Sequence, residues 1–170
     1  LECKKNRTIE FIGDSVTEGY TGENADSHIL SYAHLTAEKL GYDRSIIALG
    51  GITVTPGYGY FNDKTGMVNR YFKTRMYGDS ADWDTSKFIP DIIVINLGTN
   101  DMSFARDDAG RAELFTALYC QLLEGIHRRS PDAAVLCCLG VMGQKLCPQV
   151  EAAAARFRKD FPSKYSELFG

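Results

Sequence analysis

Phe11-Ile12-Gly13-Asp14-Ser15-Val16-Thr17-Glu18-Gly19 joins an apolar strand to a turn that presents a serine. Thr8, Ile9, Phe11 and Ile12 are β-branched or aromatic and suit a buried strand. Gly13 lets the backbone turn sharply where that strand ends. Asp14 and Ser15 suit the start of a turn or helix, because short oxygen-bearing side chains accept hydrogen bonds from free backbone N–H groups. On this stretch alone Ser15 reads as a capping hydroxyl as readily as a nucleophile, since Gly-Asp-Ser is common in loops.

Two later strands end the same way. Residues 19–27 are polar and glycine-containing, the composition of a surface loop. Residues 29–40 put Ile29, Tyr32, Ala33, Ala37 and Leu40 at helical spacing, and Gly41 supplies the stop. Ile46-Ile47-Ala48-Leu49 is expected to be a short buried strand, and it runs into Gly50-Gly51-Ile52-Thr53. Residues 55–87 are irregular and rich in aromatic residues, with a short helix expected over 67–76; so long a stretch between core elements is more often functional than idle. Pro90 introduces Asp91-Ile92-Ile93-Val94-Ile95-Asn96-Leu97, whose unbroken apolar run marks a central strand covered on both faces. That strand ends in Gly98-Thr99-Asn100-Asp101.

Residues 111–129 form the best helix, with Leu114, Leu118, Leu122 and Ile126 one turn apart and Phe115, Tyr119 and Leu123 widening the stripe. Asp107-Asp108 stand where they would cap it. Residues 133–139 read as a fourth strand, 140–146 as a loop, and 148–159 as a helix with Pro148 in its first turn. Strands alternating with helices predict a flavodoxin-like three-layer α/β/α sandwich on a parallel sheet, as a single domain over residues 1–170. Four strands are legible, and a fifth is expected to be missing.

In an open parallel sheet the carboxyl ends of the strands lie along one edge, where such folds bind ligands. The three glycine turns are therefore expected to converge. One brings the Ser15 hydroxyl, one a backbone N–H at Gly51, and one the Asn100 carboxamide. A nucleophile and two donors aimed at a shared point are the equipment for acyl transfer: Ser15 attacks a carbonyl while the amides of Ser15 and Gly51 and the Asn100 side chain hold the oxyanion.

The composition excludes several other classes. At 170 residues, 44% hydrophobic and 24% charged, the chain is sized for one core. A net charge of -3 and scattered Lys and Arg leave no basic face for nucleic acid. No apolar run reaches membrane-spanning length, and the first residues are too short and polar for a signal peptide, so the protein is expected to be cytoplasmic or already processed. Five cysteines, with no Cys-x-x-Cys, are read as reduced core thiols rather than as a disulfide through Cys147. Neither metal-ligand spacing nor a phosphate-binding glycine motif is present, and no cofactor is implied. The Gly-x-Ser-x-Gly elbow of another hydrolase fold is missing as well.

Gly13-Asp14-Ser15 with Thr17 and Gly19, the Gly51 turn, and Gly98-x-Asn100-Asp101 resemble, in order and spacing, the first three sequence blocks of the SGNH (GDSL) esterases and lipases. The resemblance covers about residues 7–139. Val94-Ile95-Asn96-Leu97-Gly98-Thr99-Asn100-Asp101, with Trp83 upstream, is most similar to the second family of carbohydrate esterases, which remove acetyl groups from plant-wall polysaccharides. The resemblance implies that Ser15 is the nucleophile, that Gly51 and Asn100 complete the oxyanion hole, and that the substrate is a short acyl ester, first of a carbohydrate. It leans toward secretion, whereas the odd number of cysteines leans the other way. The oligomeric state is open.

One block departs from the family. Its base is a histidine in an Asp-x-x-His segment near the C-terminus, and no histidine follows His127 here. The resemblance also implies an N-terminal β-sandwich domain, which is not expected within residues 1–170. Three explanations compete: a chain truncated before that segment, a substitute base, for which His28 is the candidate, or a degenerate site kept for binding. His34 lies within the first helix and His127 near the end of the long one, where a cation suits the helix dipole. Asp14 and Asp101 are read as acceptors of backbone N–H groups rather than as an acid–base pair. Trp83, Tyr58, Tyr60 and Phe61 either line a sugar cleft or pack beneath the long loop.

Overall fold

The computed structural model describes residues 7–20, 28–59 and 64–161. Strand β1 (Thr8–Gly13) is buried along its whole length. It pairs in parallel with β2 (Asp43–Ala48) on one side and β3 (Ile92–Asn96) on the other. Strand β4 (Ala134–Cys138) adds to β3, giving the order β2-β1-β3-β4.

Alternate residues of a strand face opposite ways, and the core divides accordingly. Ile9, Phe11 and Val94 pack with Ala33 and Ala37 of helix α2 (Tyr32–Leu40). Ile12, Ile93 and Ile95 pack on the other face with α3 (Gly66–Arg70), α5 (Ala109–Arg129) and α6 (Cys147–Asp160). The sheet thus lies between two helical layers, and four parallel strands with flanking helices are the expected three-layer architecture.

Several local expectations need correcting. Strand β2 is an edge strand, exposed at Asp43 and Arg44 and only half-buried from Ser45 onward, because it has a neighbour on one side only. The helix expected over 29–40 is divided by Ser31, whose Oγ accepts from His34 N at 3.2 Å; a short 3-10 turn, His28–Leu30, precedes α2. The helix expected over 67–76 stops at Arg70. On α5 the buried stripe centres on Phe115, Tyr119, Leu122 and Ile126, while Leu114 is 45% exposed. Asp108 caps this helix through Arg111 N at 3.0 Å, whereas Asp107 pairs with Lys145. The four described cysteines are free thiols, half-buried rather than fully in the core. Two short helices follow the turns, α1 (Ser15–Glu18), whose start at Asp14-Ser15 is one of the two readings of that stretch, and α4 (Asp101–Ala105), which was not foreseen.

Candidate active site

Gly13 stands level with Ala48 on one neighbour and Asn96 on the other, so the turns after β1, β2 and β3 start from one line. A Cβ at Gly13 would stand 1.9 Å from Thr17 Oγ1, which makes glycine necessary where the chain folds back on itself. Asp14 then caps α1, its Oδ1 accepting from Val16 N at 3.0 Å. The buried Thr17 shares a 3.0 Å hydrogen bond with Tyr32 OH and ties α1 to α2. Ser15 is thereby presented, half-buried, at the first position of α1.

The second turn is closed by Ile52 N donating to Leu49 O at 3.2 Å. Gly51 has φ +75°, the left-handed value that the third residue of a type II turn requires. A Cβ placed on Gly50 would stand only 3.7 Å from Ser15 Cβ, so this turn packs directly against the serine. The third turn reaches the other two through Asn100, whose Nδ2 donates to Ile52 O at 2.9 Å and to Asp14 Oδ2 at 3.3 Å. Both amide hydrogens are engaged. Of the two bonds, the longer one to Asp14 is the weaker.

Asp101 is fully buried and takes two main-chain N–H groups, Val54 N at 2.9 Å and Thr55 N at 3.0 Å. It fixes the segment that follows the Gly51 turn. Burial pushes its carboxyl up to about 6, against the downward pull of those two amides. Burial also raises the Asp14 carboxyl, opposed by the Val16 N–H. Both aspartates are acceptors of backbone hydrogen bonds.

Each histidine is engaged elsewhere. His28 Nδ1 bonds the Glu18 carbonyl oxygen, and His34 pairs with Glu38 at 3.8 Å. His127 packs against the stacked rings of Phe157 and Phe161 in the last turn of α5, which returns to the amino edge of the sheet, opposite the serine. None of these contacts is with Ser15. Of the aromatic candidates, Tyr58 lies on Phe104 with ring centroids 3.8 Å apart, and Trp83 takes the Lys87 ammonium over its ring. Tyr60 and Phe61 lie outside the described residues. Sequence reasoning missed Glu18, whose Oε2 accepts from Gly50 N at 2.6 Å. Among the described residues no three His, Cys, Asp or Glu side chains gather as they would around a metal ion, and no helix is long and apolar enough to cross a membrane.

The parallel α/β sheet thus brings a serine, a two-glycine turn and an asparagine to its carboxyl edge, where open sheets of this kind bind ligands. The profile of the GDSL-like Lipase/Acylhydrolase family matches residues 11–168, and the chain belongs to that family. It is 37% identical over 156 residues to the cellulase/esterase CelE of Acetivibrio thermocellus, covering 83% of this chain and 18% of that protein. It is 31% identical over 128 residues to an acetylxylan esterase / glucomannan deacetylase of Cellvibrio japonicus, covering 68% of this chain and 35% of that one. A family two carbohydrate esterase from Clostridium thermocellum, solved in complex with cellohexaose, is similar in structure with a TM-score of 0.71 and 33% identity, over 95% of this chain and 52% of that one. The chain thus spans about half the length of that structure, and less of the two curated relatives.

Proposed function

We propose that the chain carries the nucleophile and oxyanion-binding turns of a carboxylic ester hydrolase that removes acetyl groups from a carbohydrate. The observation that carries this is the position of Asn100, bonded at once to the Asp14 carboxylate beside Ser15 and to the carbonyl of the Gly51 turn. The names of the relatives, an acetylxylan esterase / glucomannan deacetylase and a carbohydrate esterase bound to cellohexaose, support the substrate class.

In this mechanism Ser15 Oγ attacks the ester carbonyl and its electron pair moves onto oxygen. The N–H groups of Ser15 and Gly51 and one Asn100 Nδ2 hydrogen then take that charge, the Asn100 hydrogen leaving Asp14 to do so. Collapse expels the sugar oxygen as an alcohol, and water releases acetate from Ser15. The Oγ proton needs a base; the family resemblance implies a histidine in an Asp-x-x-His segment for that role, and residues 1–170 contain no such segment.

The test is acetate release from acetylated xylan and from p-nitrophenyl acetate by the complete gene product. Ser15→Ala is expected to lower the rate by several powers of ten. A second reading, a binding site for acetylated carbohydrate, is favoured by the absence of any histidine contact to Ser15 among the described residues. Turnover equal to buffer, together with retained binding of an acetylated oligosaccharide, would select it.

A further inference from the structure

We infer that Glu18 is a positioning residue for the oxyanion-binding turn: its carboxylate holds the Gly50 N–H and so sets how closely Gly51 stands to Ser15. This rests on the hydrolase reading of Ser15 and Gly51.

Glu18 lies three residues after Ser15 in α1, and residues so spaced share a helix face. Its Oε2 accepts from Gly50 N at 2.6 Å, a short N–H···O contact across 32 residues of chain. A Cβ on Gly50 would stand 3.0 Å from that oxygen and 3.7 Å from Ser15 Cβ, so carboxylate, turn and nucleophile pack against one another. The turn needs such a hold. Gly50 and Gly51 have no side chains with which to pack themselves in place, and glycine tolerates more backbone conformations than any other residue.

The turn is held at both ends. Glu18 takes the N–H at Gly50, and Asn100 donates to the carbonyl at Ile52. Between those anchors lies the Gly51 N–H. Glu18 is itself fixed from behind, because its carbonyl oxygen takes His28 Nδ1. That bond gives His28 a place in the site without making it the base. Misplacing a donor by about 1 Å costs up to about a hundredfold in rate, so loosening one anchor is expected to lower turnover while leaving substrate affinity nearly unchanged.

What the clamp requires is an acceptor atom, not a charge. Glutamine keeps an acceptor oxygen and removes the negative charge beside a developing oxyanion. The experiment compares wild type, Glu18→Ala and Glu18→Gln in the complete gene product. It measures kcat and KM for p-nitrophenyl acetate, thermal melting, and the amide resonance and hydrogen exchange of Gly50.

Glu18→Ala is expected to lower kcat about tenfold with KM within about twofold. Its Gly50 N–H should shift upfield and exchange faster, and Glu18→Gln should recover both properties. A kcat for Glu18→Ala within twofold of wild type overturns the inference. So does a Gln variant as slow as the Ala variant at unchanged melting temperature, which would make the carboxylate a base or an electrostatic group. A protein without Ser15-dependent turnover overturns the hydrolase reading, whereas an unchanged Gly50 resonance in Glu18→Ala overturns the clamp, so the two failures are told apart.

Discussion

The carboxyl edge of the sheet and the exposed arm after α3, residues 73–82, closed by a bridge between Lys73 and Asp82, both use charged side chains, and they use them differently. At the edge, carboxylates bond to the main chain: Asp14 to Val16 N, Glu18 to Gly50 N, and Asp101 to Val54 N and Thr55 N. On the arm, charge meets charge near water, as in the 2.7 Å pair between Lys73 and Asp82, the latter 75% exposed. A carboxylate that takes an N–H fixes where a loop runs, and out of water that bond cannot be replaced by solvent. An exposed ion pair can be replaced by solvent on both sides. Substitutions at the edge should therefore change geometry and rate, while those on the arm should change little.

Asn100→Ala breaks the edge most directly. It removes the donor proposed for the oxyanion and unstitches the three turns at once. Loss of one such donor costs about 2.7–4 kcal/mol of transition-state stabilisation, roughly 10²–10³ in kcat. The expected signature is a fall in kcat well beyond any change in KM. A variant that loses only KM would assign Asn100 to substrate binding.

Asp101→Asn sharpens the comparison through stability. An amide has a single acceptor oxygen, so one of the Val54 and Thr55 N–H groups is left unpaired in the core, at a cost of about 1–3 kcal/mol. The effect depends on pH. Burial raises the folded carboxyl from 3.8 to about 6, so the native state holds the proton more tightly between those values. The contribution from Asp101 is then full below the unfolded value and is lost as pH rises through about 6. Asparagine does not titrate. In urea melts, the stability gap between wild type and variant is expected to shrink by about 2 kcal/mol from pH 4 to pH 7. A gap that widens with pH would show that the two amides, not burial, govern the carboxyl.

The framework was legible because each strand announces its own end. β1, β2 and β3 each run into glycine, and an apolar run such as Ile92–Asn96 reads as central without help from the rest of the chain. The helix α4 was not legible, and α1 only at its capping start, since four or five residues are too few to show a 3.6-residue period. The edge position of β2 was hidden for a related reason: Ile46-Ile47-Ala48 is equally apolar whether one neighbour covers it or two. At the site, the approach of the turns after β1, β2 and β3 to one another could be anticipated from topology alone. The bond from Glu18 to Gly50 could not, because it joins residues 32 apart through a contact that only the packed turns create. Its one advance sign was an acidic side chain one helical turn beyond the serine.

Lys73→Ala gives the smallest expected effect and tests the other half of the comparison. Lys73 and Asp82 bridge the arm at 2.7 Å, but both reach water, and salt screens such a pair readily. The melting temperature is expected to fall by no more than about 2 °C, with the proposed acetate release unchanged and the difference erased in high salt. Its pH sign opposes that of Asp101. The hydrogen bond and charge of Lys73 hold the Asp82 carboxyl below its usual range, so whatever the pair contributes is present at neutral pH and lost on acidification. A larger loss, or one that carried activity with it, would mean that the arm helps to hold the turns above Ser15, and the division between edge and arm would fail.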